Sequence, residues 1–337
     1  MSIKDIPRQA YMSVTPIETL SNLRRHLGEN CPELFIKRDD VNSYYGNKTR
    51  KLEYLIADAK QQGADTIVTV GAIQSNHCRI CLSAANRENM DCILILEERV
   101  KNTYHENASG NNFLYHLLGA KEIHVVPGGT NLQNEMKRLS DKARNNGKKP
   151  YIIPGGGSNS IGALGYVRCA EEIKEQNQSL NLGLTHVVAA SGSSGTHAGL
   201  VAGFQNEIPV TGISVMRSQS EQEEKVLGLA QALSEKLNIP TVKADQVKVD
   251  DRFVGPGYSL PKDSTVTAIQ TLAQSEGIIC DPVYTGKALD GFLTLIREGY
   301  FKKSDRVLFL HTGGITSMTG FSSDFNTMKK SPVYNTI

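Results

Sequence analysis

Short β-branched and apolar runs recur along this chain, separated by longer stretches of helical spacing. That alternation limits the fold more than any other feature. The runs are Leu34–Lys37, Thr66–Val70, Cys92–Leu96, Ile123–Val126, Tyr151–Ile153, His186–Ala190, Val210–Val215 and Arg306–Leu310. Between the first two, Leu52, Leu55, Ile56 and Ala59 fall at i, i+3, i+4 and i+7, one face of a helix, and Gly63 supplies its stop. Strand–helix alternation predicts open parallel sheets with helices on both faces, an α/β fold. A length of 337 residues predicts about two domains. In such sheets ligands sit beyond the carboxyl ends of the strands, so the loops that follow strands are where chemistry is sought.

The formal net charge is +2. A surface this balanced argues against a nucleic-acid partner, because phosphate backbones need a concentrated basic face. No run is long enough to span a bilayer, and the start, MSIKDIPRQAYMS, is polar rather than signal-like. The expectation is a cytoplasmic protein with no membrane partner. The six cysteines are then expected to be reduced thiols. Cys78 and Cys81 form a C-x-x-C pair preceded by His77. Structural zinc would want a second ligand pair, and c-type haem a histidine after the second cysteine. The pair reads as two small residues on a buried helix, with a redox role as the alternative.

Several post-strand loops carry candidate chemistry. Ser191-Gly192-Ser193-Ser194-Gly195-Thr196 follows an apolar strand and opens a helix near Gly195. Glycines let the backbone approach an anion, and amides at a helix start donate to phosphate. The Gly-Lys-Ser/Thr ending of a Walker loop is missing, as is G-x-G-x-x-G, so a small phosphorylated cofactor fits better than a nucleotide. A flexible turn is the other reading. In Gly46-Asn47-Lys48-Thr49-Arg50-Lys51 the two lysines stand three apart at a helix start, close together on one side. One can form an imine with an aldehyde while its neighbour pairs with the phosphate and lowers its pKa; alternatively both are solvated charges. Gln74-Ser75-Asn76 ends a strand and opens a helix, where Ser75 or Asn76 serves either as a cap or as a donor to substrate. Tyr258 and Tyr284 follow Gly/Pro-rich turns and are placed to face a site. Gly155-Gly156-Gly157-Ser158 reads as a hinge or a tight turn.

GNKTRKLEYL, QSNH, SGSSGTHAG, DPVYTGKA and HTGG occur in that order. Together, over about Thr15 to Gly314, they resemble the family of 1-aminocyclopropane-1-carboxylate deaminase and D-cysteine desulfhydrase. The resemblance implies the fold type II architecture of pyridoxal-phosphate enzymes, similar to the tryptophan synthase β subunit. It also implies two domains: 1–51 with 152–337 as the larger, cofactor-binding one, and 52–151 as a smaller four-strand unit, with the cofactor in the cleft between them. Lys48 would be the Schiff-base lysine and Lys51 would help hold the phosphate with Ser193, Ser194, Gly195 and Thr196. Asn76 would bond the cofactor's 3′-oxygen, and Thr312 would meet the pyridine nitrogen as a neutral partner. Ser75, Asn76, His77, Tyr258 and Tyr284 would face the substrate, with Lys48, Ser75 and the two tyrosines as catalytic groups.

The deaminases of the family carry Glu after the tyrosine of DPVY and Leu in the H-x-G-G segment. This chain has Thr285 and Thr312 there, which resembles the desulfhydrase side. The implied reaction is α,β-elimination of D-cysteine to pyruvate, ammonia and hydrogen sulfide, by a homodimer. Aminocyclopropane carboxylate deamination and cysteate sulfo-lyase chemistry stay open at this point. So does a non-catalytic binder of phosphorylated metabolites that keeps only the Gly/Ser loop. The chain departs from the family pattern at Tyr45 and Ala72, which replace glycines, and at Ile315-Thr316-Ser317, where a proline-containing run is usual.

Overall fold

In the computed structural model of the chain, residues 3–325 are described, except 106 and 108. They contain ten strands: β1 (Ile17–Thr19), β2 (Glu33–Arg38), β3 (Thr66–Ala72), β4 (Asp91–Glu98), β5 (Glu122–Pro127), β6 (Pro150–Ile153), β7 (His186–Ser191), β8 (Val210–Ser214), β9 (Lys248–Asp250) and β10 (Arg306–His311). One sheet has the order β5-β4-β3-β6 and the other β1-β2-β10-β7-β8-β9. The four-stranded sheet is parallel throughout. In the six-stranded sheet β1 lies antiparallel on β2, with Ile17 opposite Lys37, and the remaining pairs are parallel. All eight expected strands are present. The expected parallel sheets are present, and one edge adds an antiparallel strand, where three residues suffice because no crossover is required.

Both sheets are covered on both faces, which explains why their strands read as continuous apolar runs rather than alternating ones. Along β7, Val187 and Ala189 join one buried cluster and Val188 and Ala190 another; along β10, Leu308 and Leu310 separate from Val307 and Phe309 in the same way. In the four-stranded sheet, Ile67 and Leu94 face one cluster and Val68, Val70, Ile93 and Ile95 the other.

The helix Lys48–Gln61 carries the chain between the two sheets, and Gly63 follows it at φ +68. Its start is fixed by Asn42, whose Oδ1 accepts from Thr49 Oγ1 at 3.0 Å and Gly46 N at 3.1 Å, while its Nδ2 donates to Gly46 O at 2.9 Å. Tyr45, in a position that the related pattern gives to glycine, takes the left-handed conformation with φ +58. Gly313 packs on this turn so tightly that a Cβ there would lie 2.6 Å from Gly46 Cα. The Gly155–Gly157 stretch is a tight 3-10 turn with left-handed backbone at Gly156 and Gly157. Cys78 and Cys81 lie fully buried on the helix Asn76–Arg87. Burial pushes the Cys78 thiol up to about 12 and Cys81 further, which removes the thiolate a redox pair needs.

Candidate active site

A pocket of about 200 Å³ opens where the carboxyl ends of strands from both sheets meet. The four-stranded sheet contributes the turns after β3, β4 and β6, and the six-stranded sheet those after β7, β8 and β10. Lys48 stands in its wall as the first residue of its helix. Its Nζ donates to Asn47 Oδ1 at 3.0 Å and lies 5.9 Å from the Tyr284 ring centre. Burial lowers its pKa from 10.5 to about 8, against the raising effects of Cys81 and Asp281. At pH 7 about a tenth of this amine is then unprotonated, against under about a thousandth for an ordinary lysine, and the unprotonated amine is the state that attacks an aldehyde.

The loop after β7 makes an anion cradle. Ser194 adopts φ +74, and the helix Gly195–Phe204 starts there with its amides at the pocket edge. A Cβ on Gly195 would lie 2.6 Å from Ser158 Oγ and 2.8 Å from Lys51 Nζ, so a side chain there would push both away from the loop. Lys51 donates to Gly156 O and Ser158 Oγ, both at 3.0 Å, and Ser158 Oγ bonds Ser193 Oγ at 2.8 Å. Lys51 is 1% exposed, and these hydrogen-bond partners are neutral. Burial and then Lys48 push its pKa well down, a situation that a bound phosphate dianion would reverse. Lys51 and Gly195 thus stand immediately behind the pocket wall, while Ser193, Ser194 and Thr196 line it. Asn47 Nδ2 ties the two parts together through Thr196 Oγ1 at 3.0 Å. A nucleophilic amine beside a cradle for a phosphate fits pyridoxal phosphate.

Ser75 plays the capping part: its Oγ accepts from Cys78 N at 3.1 Å while the residue lines the pocket. Asn76 is oriented by its own acceptor. Its Oδ1 takes hydrogen bonds from Asn111 Nδ2 at 2.7 Å and Thr316 Oγ1 at 3.2 Å, and the residue lines the pocket. Thr316 belongs to the Ile315-Thr316-Ser317 departure, so that change supplies a support for Asn76. His77 reaches the pocket, but its Nε2 is engaged with Thr69 Oγ1 at 2.8 Å. Burial, Lys48 and Lys51 hold it neutral. Tyr258 and Tyr284 line the opposite wall with their hydroxyls hydrogen-bonded to each other and their rings edge to face. Thr312 lines the pocket on the turn after β10. Thr285 does not reach it: the residue is fully buried, and its Oγ1 bonds Asp281 Oδ2 at 2.7 Å and Gly313 O at 3.2 Å.

Asp281, Arg99 and Arg217 also line the pocket and were not singled out from the sequence. Asp281 accepts from the amides of Val283, Tyr284 and Thr285 and so sets the start of the helix Thr285–Arg297 and the placing of Tyr284. An Asp just before a helix was a readable cap signal. Arg217 Nη1 bonds Gly192 O at 2.7 Å, bracing the anion loop. Arg99 follows β4 in the run Glu97-Glu98-Arg99, which reads as an ordinary solvated charge cluster.

Comparison with known proteins identifies the family. The family model described as pyridoxal-phosphate dependent enzyme matches residues 9–313. The D-cysteine desulfhydrase of Serratia proteamaculans (strain 568) is 42% identical over 316 residues, covering 92% of this chain and 94% of that protein. That of Salmonella typhimurium is 40% identical, covering 94% and 96%. A crystal structure described as an ACC deaminase homologue superposes with a TM-score of 0.86 at 34% identity, over 96% of each chain. O-ureido-L-serine synthase, 16% identical with a TM-score of 0.66, shares the fold. The chain belongs to the pyridoxal-phosphate-dependent enzymes of fold type II.

Proposed function

We propose that this enzyme eliminates hydrogen sulfide from D-cysteine, leaving pyruvate and ammonia. The observation that carries the reading is the pocket wall around Tyr284. The residue after it is a threonine turned into the protein, and the residue after His311 is a threonine that lines the pocket. Neither places there the groups that cyclopropane opening asks for. The near-full-length relatives named D-cysteine desulfhydrase support the same choice.

Lys48 would hold the cofactor covalently, and Lys51 with Ser193, Ser194, Gly195 and Thr196 would hold its phosphate. Asn76 would donate to its 3′-oxygen, and Thr312 would meet its ring nitrogen. Bound pyridoxal phosphate supplies an electron sink conjugated to the substrate's α-carbon. Ser75, Asn76 and His77 orient the substrate from one side and the tyrosine pair from the other. Lys48 would take the substrate's α-proton at its Nζ. We further infer a homodimer, from family resemblance, and a division into 1–51 with 152–337 and 52–151. Sedimentation of a 36.8 kDa chain at twice its mass is the expected result.

Borohydride treatment followed by peptide mapping should find the pyridoxyl group on Lys48. Lys48→Ala should lose about 10²–10⁴-fold in turnover; full activity in that variant ends the assignment. Sulfide release from D-cysteine should greatly exceed ketobutyrate release from aminocyclopropane carboxylate and sulfite release from cysteate. Either reverse ratio moves the enzyme to the corresponding other branch.

A further inference from the structure

Elimination leaves one demand that Lys48 does not meet. As the β-substituent departs, something must receive or neutralise the negative charge on sulfur. Asp281 has both carboxylate oxygens committed to backbone amides and to Thr285. The acidic groups that remain on that wall are the two phenols, and burial makes a phenol a weaker acid.

Arg99 is built to offset this. It is the first residue after β4 and lines the pocket. Its Nε donates to Glu97 Oε2 at 2.6 Å, and Glu97 is itself fixed by Gly129 N, which donates to Oε1 at 3.0 Å. So held, the guanidinium lies 4.4 Å from the centre of the Tyr258 ring. Among the described residues neither Nη of Arg99 makes a hydrogen bond; the face of Tyr258 is what the cation meets. A cation over an aromatic face is already favourable, and it favours the phenolate more than the phenol. On the far side, the Tyr258 hydroxyl meets that of Tyr284, and Lys287 Nζ clamps the loop that carries Tyr258 through the carbonyls of Val254 and Gly257.

We propose that Arg99 is the positioning residue that makes Tyr258 the proton donor to the departing sulfur. This rests on the elimination reading above. The Cβ–S bond breaks with its electron pair on sulfur, and the HS⁻ so formed takes the Tyr258 hydroxyl proton and leaves as H₂S. The phenolate faces Arg99, accepts the Tyr284 hydrogen bond, and regains a proton from water before the next turnover. Of the two phenols Tyr258 is the less perturbed. Burial raises it above its ordinary value and Arg99 and the Tyr284 hydrogen bond offset that in part, whereas Tyr284 is pushed well above its ordinary value by burial and by Tyr258. The charged and titratable groups facing Tyr258 are Arg99 from the end of β4, Tyr284 and Asp281 from the turn before the helix Thr285–Arg297, and Cys78 and Tyr115 from helices beside the four-stranded sheet.

Leaving groups separate this role from a structural one. Chloride is too weak a base for a proton donor to assist its departure, whereas the more basic hydrosulfide is open to such assistance. In the holoenzyme, Arg99→Gln should lower kcat for D-cysteine by about 10²-fold and change that for β-chloro-D-alanine by no more than about threefold. Independently of turnover, the ultraviolet titration of Tyr258, read as the difference between each protein and its Tyr258→Phe form, should move up by about one pH unit in Arg99→Gln. Arg99→Lys, which keeps the charge, should recover part of both effects. Equal losses on the two substrates, or an unmoved titration, would overturn the proposal while leaving the elimination reading in place. If the unaltered enzyme turns over neither substrate, the elimination reading falls and this proposal falls with it.

Discussion

Lys51 shows how much a single side chain in this fold depends on what binds beside it. Buried among neutral oxygens, its ammonium is disfavoured, and its pKa lies well below 10.5. A phosphate in the loop beside Gly195 supplies the missing countercharge. Lys51→Gln should therefore weaken pyridoxal phosphate binding by about 10- to 100-fold, the range of one charge-assisted hydrogen bond. Binding of pyridoxal, which lacks the phosphate, should change little. Equal weakening of both ligands, measured by absorbance titration of the apoprotein, would place Lys51 elsewhere. The lysines were legible as a pair from their spacing, and Asn76 and the serine loop from their places after strands. Arg99 was not, because its function depends on a tyrosine 159 positions later in the numbering that only the folded chain brings over it. Thr285 was legible as a distinguishing residue but not as a buried one, since nothing local to it says that Asp281 would turn its hydroxyl inward.

At the scale of elements, the helix Lys48–Gln61 is anchored by a buried ion network rather than by apolar contact alone. Arg50 bonds Asp39 through Nε at 2.8 Å and Nη2 at 2.7 Å, and Glu172 through Nη1 at 2.9 Å. Lys37 joins Glu172 at 2.5 Å, and Tyr166 donates to Asp39 at 2.6 Å. Two cations meet two carboxylates, which makes the group tolerable in the interior, and removing any one leaves a charge unpaired. Asp39→Asn should cost about 3–5 kcal/mol in denaturant unfolding. Burial works against both carboxylates, but Arg50 and Lys37 together outweigh it and hold each below its ordinary value. Depressed carboxylates stabilise fully above their unfolded pKa of about 4, and that contribution is lost as pH falls through the folded values. Acid unfolding followed by circular dichroism should therefore steepen below about pH 4, and the steepening should shrink in Asp39→Asn. The elements themselves were largely readable, since eight strands stand out as β-branched runs. The two that do not, β1 with Ile-Glu-Thr and β9 with Lys-Val-Asp, are three-residue edge strands whose polar residues face solvent. An edge needs only one neighbour, and local sequence does not announce that neighbour.

For the whole molecule, the pocket is where loops of two separate sheets approach, and direct bonds join them at several points, among them Thr316 after β10 with Asn76 after β3 and Gly195 N with Ser158 Oγ. Ser158 after β6 meets Ser193 after β7 at 2.8 Å, and Arg99 after β4 lies over Tyr258. The proposed cofactor would touch both sides at once, with Asn76 and Gly156 from the four-stranded sheet and Ser194 and Thr312 from the six-stranded one lining its pocket. A ligand held by both bodies stabilises the folded state of each and couples their unfolding. Lys48→Ala separates this effect from the covalent bond, because the variant can bind pyridoxal phosphate only reversibly. Its unfolding temperature should rise with added cofactor, by about 2.7 kcal/mol of stabilisation when the cofactor is a hundredfold above Kd, a shift of several degrees for a chain of this length. Calorimetry of the apoprotein should show a broader or two-step transition that sharpens to one as cofactor is added. Adding Ser158→Ala removes a direct link between the two sheets and a partner of Lys51, so it should lower the cofactor-induced shift. An unfolding profile whose width is indifferent to cofactor would mean that the two sheets already unfold as one body, held by their helices and not by the ligand between them.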